Sequence, residues 1–173
     1  MLETQVKSKP VYKPIVTNIV ELRKLCDKVT KDDPIKEIIK DLRDTLAAVG
    51  GVGLTANQIG VRKQISVCKL PEYNQQTKKM EMNEFIMLNP KIIEHSNKFI
   101  NKNEGCLSFP GQTVNTDRWV FITLEYDDEK LEHRTAMFQD LEGVIVQHEQ
   151  SHCLGRTIFD QKHRDINRRG TRK

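Results

Sequence analysis

The stretch from Val144 to Gly155, VIVQHEQSHCLG, joins an apolar run to two histidines and a glutamate in the order H-E-x-x-H. Residues four apart on a helix stand one turn above each other, so His148 and His152 share a face. Glu149 is rotated from them by about 100° and lies beside that face rather than on it. Leu141, Val144, Ile145 and Val146 make the segment so apolar that it has to pack inside other layers, and imidazoles carried in with it need partners. The rest of the chain therefore has to be built around this helix.

The partners of the histidines decide the chemistry. If His148 and His152 share a metal ion, Glu149 is placed as a general base or acid for an activated water. The pattern alone does not choose, because metalloproteases and other metal hydrolases share it and two surface histidines beside a chance glutamate reproduce it. A catalytic metal usually takes three protein ligands. Only 21 residues follow His152, and they include His163 but no glutamate. Upstream, NEGCLSFPG sets Cys106 in a loop held by Pro110 and Gly111, where a thiolate would be a strong ligand.

Residues 1–20 read as extended, with Pro10 and Pro14 opposing an early helix. A helix is predicted over 34–49, capped by Asp33, with Pro34 in its first turn and Gly50 at its exit. Ile35, Ile38, Ile39, Leu42, Leu46 and Val49 give it one apolar face. QISVCKL and EFIMLNPKIIEH read as strands separated by a polar, turn-like stretch at 71–84, and RWVFITLEYDDEKLEHRTAMF as a hairpin turning at Asp127, Asp128 and Glu129. Asp140 is expected to cap the helix that bears the histidines and Gly155 to end it. Strands between two helices give an α+β class, with the second helix inside the sheets.

At 173 residues the chain is sized for one domain with a core of its own. We expect a catalytic body over 1–161 and a basic tail over 162–173. That tail, KHRDINRRGTRK, carries a net charge of +5 out of the chain's +4, leaving the body near neutral. A charge run is usually a solvated end, yet it can also touch RNA or a ribosome through phosphates. No apolar run reaches the roughly 20 residues of a membrane helix, and the N-terminus has neither the apolar core of a secretory signal nor the bias of a transit peptide. A cytoplasmic address is expected, or an organellar stroma if a transit peptide has been removed. The four cysteines form no C-x-x-C pair, which fits a reducing compartment. Cys26, Cys68 and Cys153 read as core, and His95, His133 and His163 as ordinary surface or strand residues.

Three separated motifs, GVGLTANQ (51–58), EGCLS (104–108) and QHEQSHCLG (147–155), resemble in order and spacing the signature motifs of the peptide deformylases. EGCLSFPG is most similar to plastid and cyanobacterial types, and the short end after the last histidine to phage-encoded forms. The resemblance implies the deformylase fold, with sheets around a central helix, and a hydrolase that removes formate from the N-formyl-methionine of new polypeptides. It implies one divalent ion on Cys106, His148 and His152, ferrous iron in the cell and zinc or nickel as replacements. Glu149 becomes the proton carrier, and Gln58 and the backbone N–H of Leu107 the oxyanion donors. Gly51 and Gly53 let the substrate peptide approach, while Val52, Leu141, Val144 and Ile145 line the methionine pocket or serve as ordinary core. Formyl-methionine peptides are the expected partners, with transient ribosome contact, no membrane, no specific DNA, and a monomeric state.

The motifs depart from the family pattern at two places: Thr55 stands where alanine is usual, and Ser151 where aspartate is usual, removing a carboxylate beside the ligands. Other readings use the same residues. They are a zincin-type endopeptidase, a degenerate deformylase binding ribosomes or RNA through its tail, and a thiol amidase with Cys106 as nucleophile.

Overall fold

The computed structural model describes residues 12–164. Helix α1 spans Ile19–Leu22 and α2 Ile35–Val49. Strands follow at Gly53–Thr55 (β1), Ile65–Asn74 (β2), Lys79–His95 (β3), Lys98–Gly105 (β4), Thr113–Trp119 (β5), Phe121–Asp127 (β6) and His133–Gln139 (β7), before helix α3 at Asp140–Cys153. A short 3-10 turn, Ala56–Ile59, joins β1 to the approach to β2. One antiparallel sheet has the order β1-β2-β3-β6-β7, and β4 and β5 pair as a second, smaller one.

Alternation along β1 and β2 divides the core. Leu54, Ile65 and Val67 turn to one face and pack with Ile38, Ile39, Leu42 and Leu46 of α2. Cys68 and Leu70 turn to the other and pack with Ile145 and Val146 of α3. Each fully buried Leu or Ile contributes roughly 1.5–3 kcal/mol, so both helices are fixed to the sheet by their apolar stripes. Helix α3 touches β1, β2, β3, β6 and β7 of the large sheet and β5 of the small one. The α+β class agrees with the sequence pattern.

Several local expectations differ. Asp33 does not cap α2; its carboxylate accepts from the Thr30 N–H at 2.8 Å and pairs with Lys63 Nζ at 2.7 Å, a stronger charged partner. Asp140 does not cap α3 either, because its φ of +50° turns it into the left-handed region and no capping bond forms. Within 71–84 the turn is confined to 75–78, because β2 and β3 continue paired as far as Asn74↔Lys79. Both faces there are largely exposed, so no apolar alternation marks the strands. Arg118 and Trp119 close β5 of the small sheet instead of opening the following hairpin. Within 1–20, residues 1–11 lie outside the described residues, and α1 forms where Asn18 Oδ1 accepts from the Val20 N–H at 2.9 Å. Val49 and Leu141, expected on packed faces, are 37% and 58% exposed. Both exits are as expected, with Gly50 at φ +72° and Gly155 at +66°. Of the basic tail, 165–173 lies outside the described residues.

Candidate metal centre

Helix α3 presents His148 and His152 together, with ring centroids 5.1 Å apart. The loop after β4 brings Cys106 to them, its Sγ 3.4 Å from His152 Nε2. One ligand atom from each of the three lies within 4.8 Å of the others. An ion with ligand distances of about 2.0–2.3 Å closes such a spread with small side-chain shifts. His152 is 1% exposed, its Nδ1 has no partner among the described residues, and burial holds its pKa well below the usual histidine value. A core role alone would not leave a neutral imidazole so poorly satisfied, so the donor set fits a metal ion.

His148 is oriented from behind. Its Nδ1 lies 2.7 Å from Glu104 Oε1, which leaves Nε2 for the centre. Glu104 sits at the end of β4 and is held from β5: Thr116 Oγ1 donates to its Oε2 at 2.6 Å, Arg118 Nε donates at 3.0 Å, and Arg118 Nη2 bonds Oε1. Asn101 Nδ2 adds a bond at 2.8 Å. Burial raises the pKa of Glu104, but the bonds from His148 and Arg118 outweigh it and hold the carboxyl well below the usual carboxylate range. Desolvating such a pair costs several kcal/mol per ion; the convergence of donors is what offsets it.

Glu149 is 3% exposed. Burial pushes its pKa up, against the charge of His148 and the hydroxyl of Thr55. Thr55 Oγ1 donates to Glu149 Oε2 at 2.7 Å. One hydroxyl has one proton, so Thr55 accepts from Ser66 Oγ at 2.8 Å, and Ser66 in turn meets Cys153 Sγ at 3.6 Å. Burial raises the Cys153 pKa far above the ordinary thiol value, which keeps this thiol a donor. The order Cys153, Ser66, Thr55 thus points every proton toward the Glu149 carboxylate. On its other side Gly53 lies so close that a Cβ there would come 2.3 Å from Glu149 Oε1.

Gln58 is fixed at both ends. Its Oε1 accepts from the Thr55 N–H at 2.9 Å, and its Nε2 donates to Ser108 Oγ at 3.1 Å and reaches Cys106 Sγ at 3.6 Å. A cleft of about 680 Å³ opens over these groups, lined among others by Gly51, Val52, Gly53, Gln58, Cys106 and Leu107. Leu141, Val144 and Ile145 line it from α3, with His148 and Glu149 at its base. Of the residues picked out in the sequence for metal, proton transfer, oxyanion or substrate, all line this cleft except His152, which is buried and meets it through Cys106 Sγ.

A family model described as Polypeptide deformylase matches residues 13–168. The chain belongs to the peptide deformylase family. Among curated deformylases, that of Chloroflexus aggregans is 34% identical over 142 residues, 78% of this chain and 75% of that protein. Peptide deformylase 1 of a Nostoc species is 32% identical over 141 residues, covering 81% and 73%. The deformylase structure from Thermotoga maritima has a TM-score of 0.75 at 28% identity, covering 88% of this chain and 98% of the other. That from Plasmodium falciparum has a TM-score of 0.75 at 30% identity, covering 87% and 86%. As a deformylase the chain is a metal-dependent hydrolase that removes the formyl group from nascent peptides.

In deformylase terms the two departures acquire partners. Thr55 donates its hydroxyl to the Glu149 carboxylate. Ser151 donates to Gln147 O at 2.7 Å and accepts from Arg118 Nη1 at 3.4 Å. The carboxylate that meets an imidazole of the candidate centre is that of Glu104, at His148 Nδ1. Sequence reading passed over Glu104 although it opens the EGCLS motif, and nothing in the sequence marks Arg118 or Thr116, which reach it only once β4 and β5 pair.

Proposed function

We propose that this deformylase holds its divalent ion with Cys106, His148 and His152 and that Glu149 carries the proton of the reaction. The observation behind this reading is the convergence of one thiol and two imidazoles beside a buried carboxylate. The ion is ferrous iron in the cell, with zinc or nickel as replacements; bound there, it supplies Lewis-acid activation of water and of a carbonyl. Glu149 takes a proton from the water that attacks the formyl carbon and returns it to the departing amine, so that formate and a free N-terminus result.

Gln58 through Nε2 and Leu107 through its backbone N–H stabilise the oxyanion, a role in which one preorganised donor is worth about 2.7–4 kcal/mol. Gly51 and Gly53 allow the substrate backbone to lie along β1. Val52, Leu141, Val144 and Ile145 receive the methionine side chain. The enzyme acts on formyl-methionine peptides as a cytoplasmic monomer whose catalytic domain is 1–161, with no membrane or specific DNA partner. Segment 162–173 gives transient ribosome contact through phosphates. No helix among the described residues is long and apolar enough to cross a membrane.

An anaerobic formate-release assay with metal analysis tests the assignment. Wild type should release formate from a formyl-methionine peptide. Cys106→Ala should lose metal and activity together, and Glu149→Gln should lose activity while keeping metal. Full activity in Cys106→Ala would sink the ligand set.

A further inference from the structure

Helix α3 carries a second functional stripe. Leu141, Val144, Ile145 and His148 face the catalytic cleft, whereas Gln147, Gln150, Ser151 and Leu154, with the same i, i+3, i+4, i+7 spacing, line a separate cavity of about 380 Å³. The two cavities share no lining residue. We propose that this second cavity is a binding site for a small oxyanion, a carboxylate or a phosphate.

Its charge is one-sided. Lys91, Lys98, Arg118 and Arg156 line it against a single carboxylate, Asp117, which lies 2.6 Å from His163 Nδ1. Lys91, Lys98 and Arg156 have no ion pair among the described residues. Arg118 is 3% exposed and turns its Nε and Nη2 to Glu104, which leaves Nη1 with only the 3.4 Å contact to Ser151. A guanidinium has five donors in a planar fork suited to carboxylate and phosphate oxygens.

A second observation is independent of charge. Gln150 is only 8% exposed, lines the cavity, and its side-chain amide has no hydrogen-bond partner among the described residues. Its neighbour on the same stripe, Gln147, is fully engaged, accepting from the Trp119 N–H at 2.9 Å and donating to Trp119 O at 3.0 Å. An oxyanion between Gln150, Arg118 and Arg156 would accept from all three.

Trp119 is the chain's single tryptophan and lines this cavity, so its fluorescence reports on it directly. The test titrates inorganic phosphate and, separately, succinate into the metal-loaded full chain against potassium chloride at matched ionic strength. A saturable change with either oxyanion, absent with chloride, is expected, and the tighter of the two assigns the class. Gln150→Leu and the exposed Arg156→Ala should each weaken the midpoint about tenfold or more. Ser151→Asp, which sets a carboxylate beside Arg118, should abolish saturation. A response no larger than that of chloride, or midpoints unchanged in all three variants, would overturn the proposal.

Discussion

The Thr55 hydroxyl donates to Glu149 Oε2 at 2.7 Å, across 94 residues of sequence and between β1 and α3. It is the last link of a hydrogen-bond series that starts at a buried thiol and ends on the carboxylate assigned to proton transfer. Thr55→Val keeps the shape and removes the donor, leaving Glu149 Oε2 and Ser66 Oγ short of a partner. We expect kcat/KM for formate release to fall about tenfold, from an interaction of the order of 1.5 kcal/mol. Thr55→Ser should restore it; a Thr55→Val enzyme at wild-type rate would remove Thr55 from the mechanism.

Gly53 constrains the same carboxylate by having no side chain. A methyl there would stand 2.3 Å from Glu149 Oε1, so Gly53→Ala has to displace the carboxylate or the strand. Misplacement of about 1 Å can cost around 100-fold in rate. Formate release should drop on that scale while metal content per chain stays at the wild-type level.

Glu104 is the hub behind His148. Glu104→Gln leaves the buried Arg118 without its counter-charge and replaces the acceptor of His148 with an amide. Breaking a buried pair costs roughly 3–5 kcal/mol, and loss of a residue that orients a ligand histidine typically costs 10- to 100-fold in metal affinity. Urea unfolding and metal retention during dialysis against a graded chelator should show both losses together.

Asp160 joins the loop after α3 to the start of the chain. Its Oδ2 accepts from the Thr157 N–H at 2.8 Å and hydroxyl at 2.7 Å, and its Oδ1 from Arg23 Nη2 at 2.8 Å. Burial raises its pKa, but these bonds outweigh it and hold the carboxyl below its usual value. A depressed carboxylate adds stability that is complete above the unfolded pKa of about 3.9 and disappears as pH falls through the folded value. Asp160→Asn should therefore be less stable by about 1–2 kcal/mol at pH 6–8, with the gap narrowing below pH of about 4. A gap independent of pH would mean that the charge plays no part.

Helix periodicity made most of the site legible. His148, Glu149 and His152 are fixed relative to one another by 3.6 residues per turn, and the motif order supplied Cys106 and Gln58. The small sheet was not legible. Lys98–Gly105 is mostly exposed and polar, so its pairing leaves no apolar signature, and with it the roles of Glu104, Thr116 and Arg118 stayed hidden. Asp33 and Asp140 show the limit of capping rules: each residue type suits an N-cap, but one is claimed by Lys63 and the other is turned away by a positive φ.

The bond from the Thr55 N–H to Gln58 Oε1 has a consequence for chemical polarity. A side-chain amide can rotate by a half turn and exchange its oxygen for its nitrogen, but a peptide N–H has no such freedom and can only donate. Because the backbone of Thr55 occupies the oxygen end, Gln58 is locked to offer hydrogen, never a lone pair, toward Cys106. The reading of this glutamine is thus written into the main chain, where no side-chain substitution at Thr55 short of proline can reverse it.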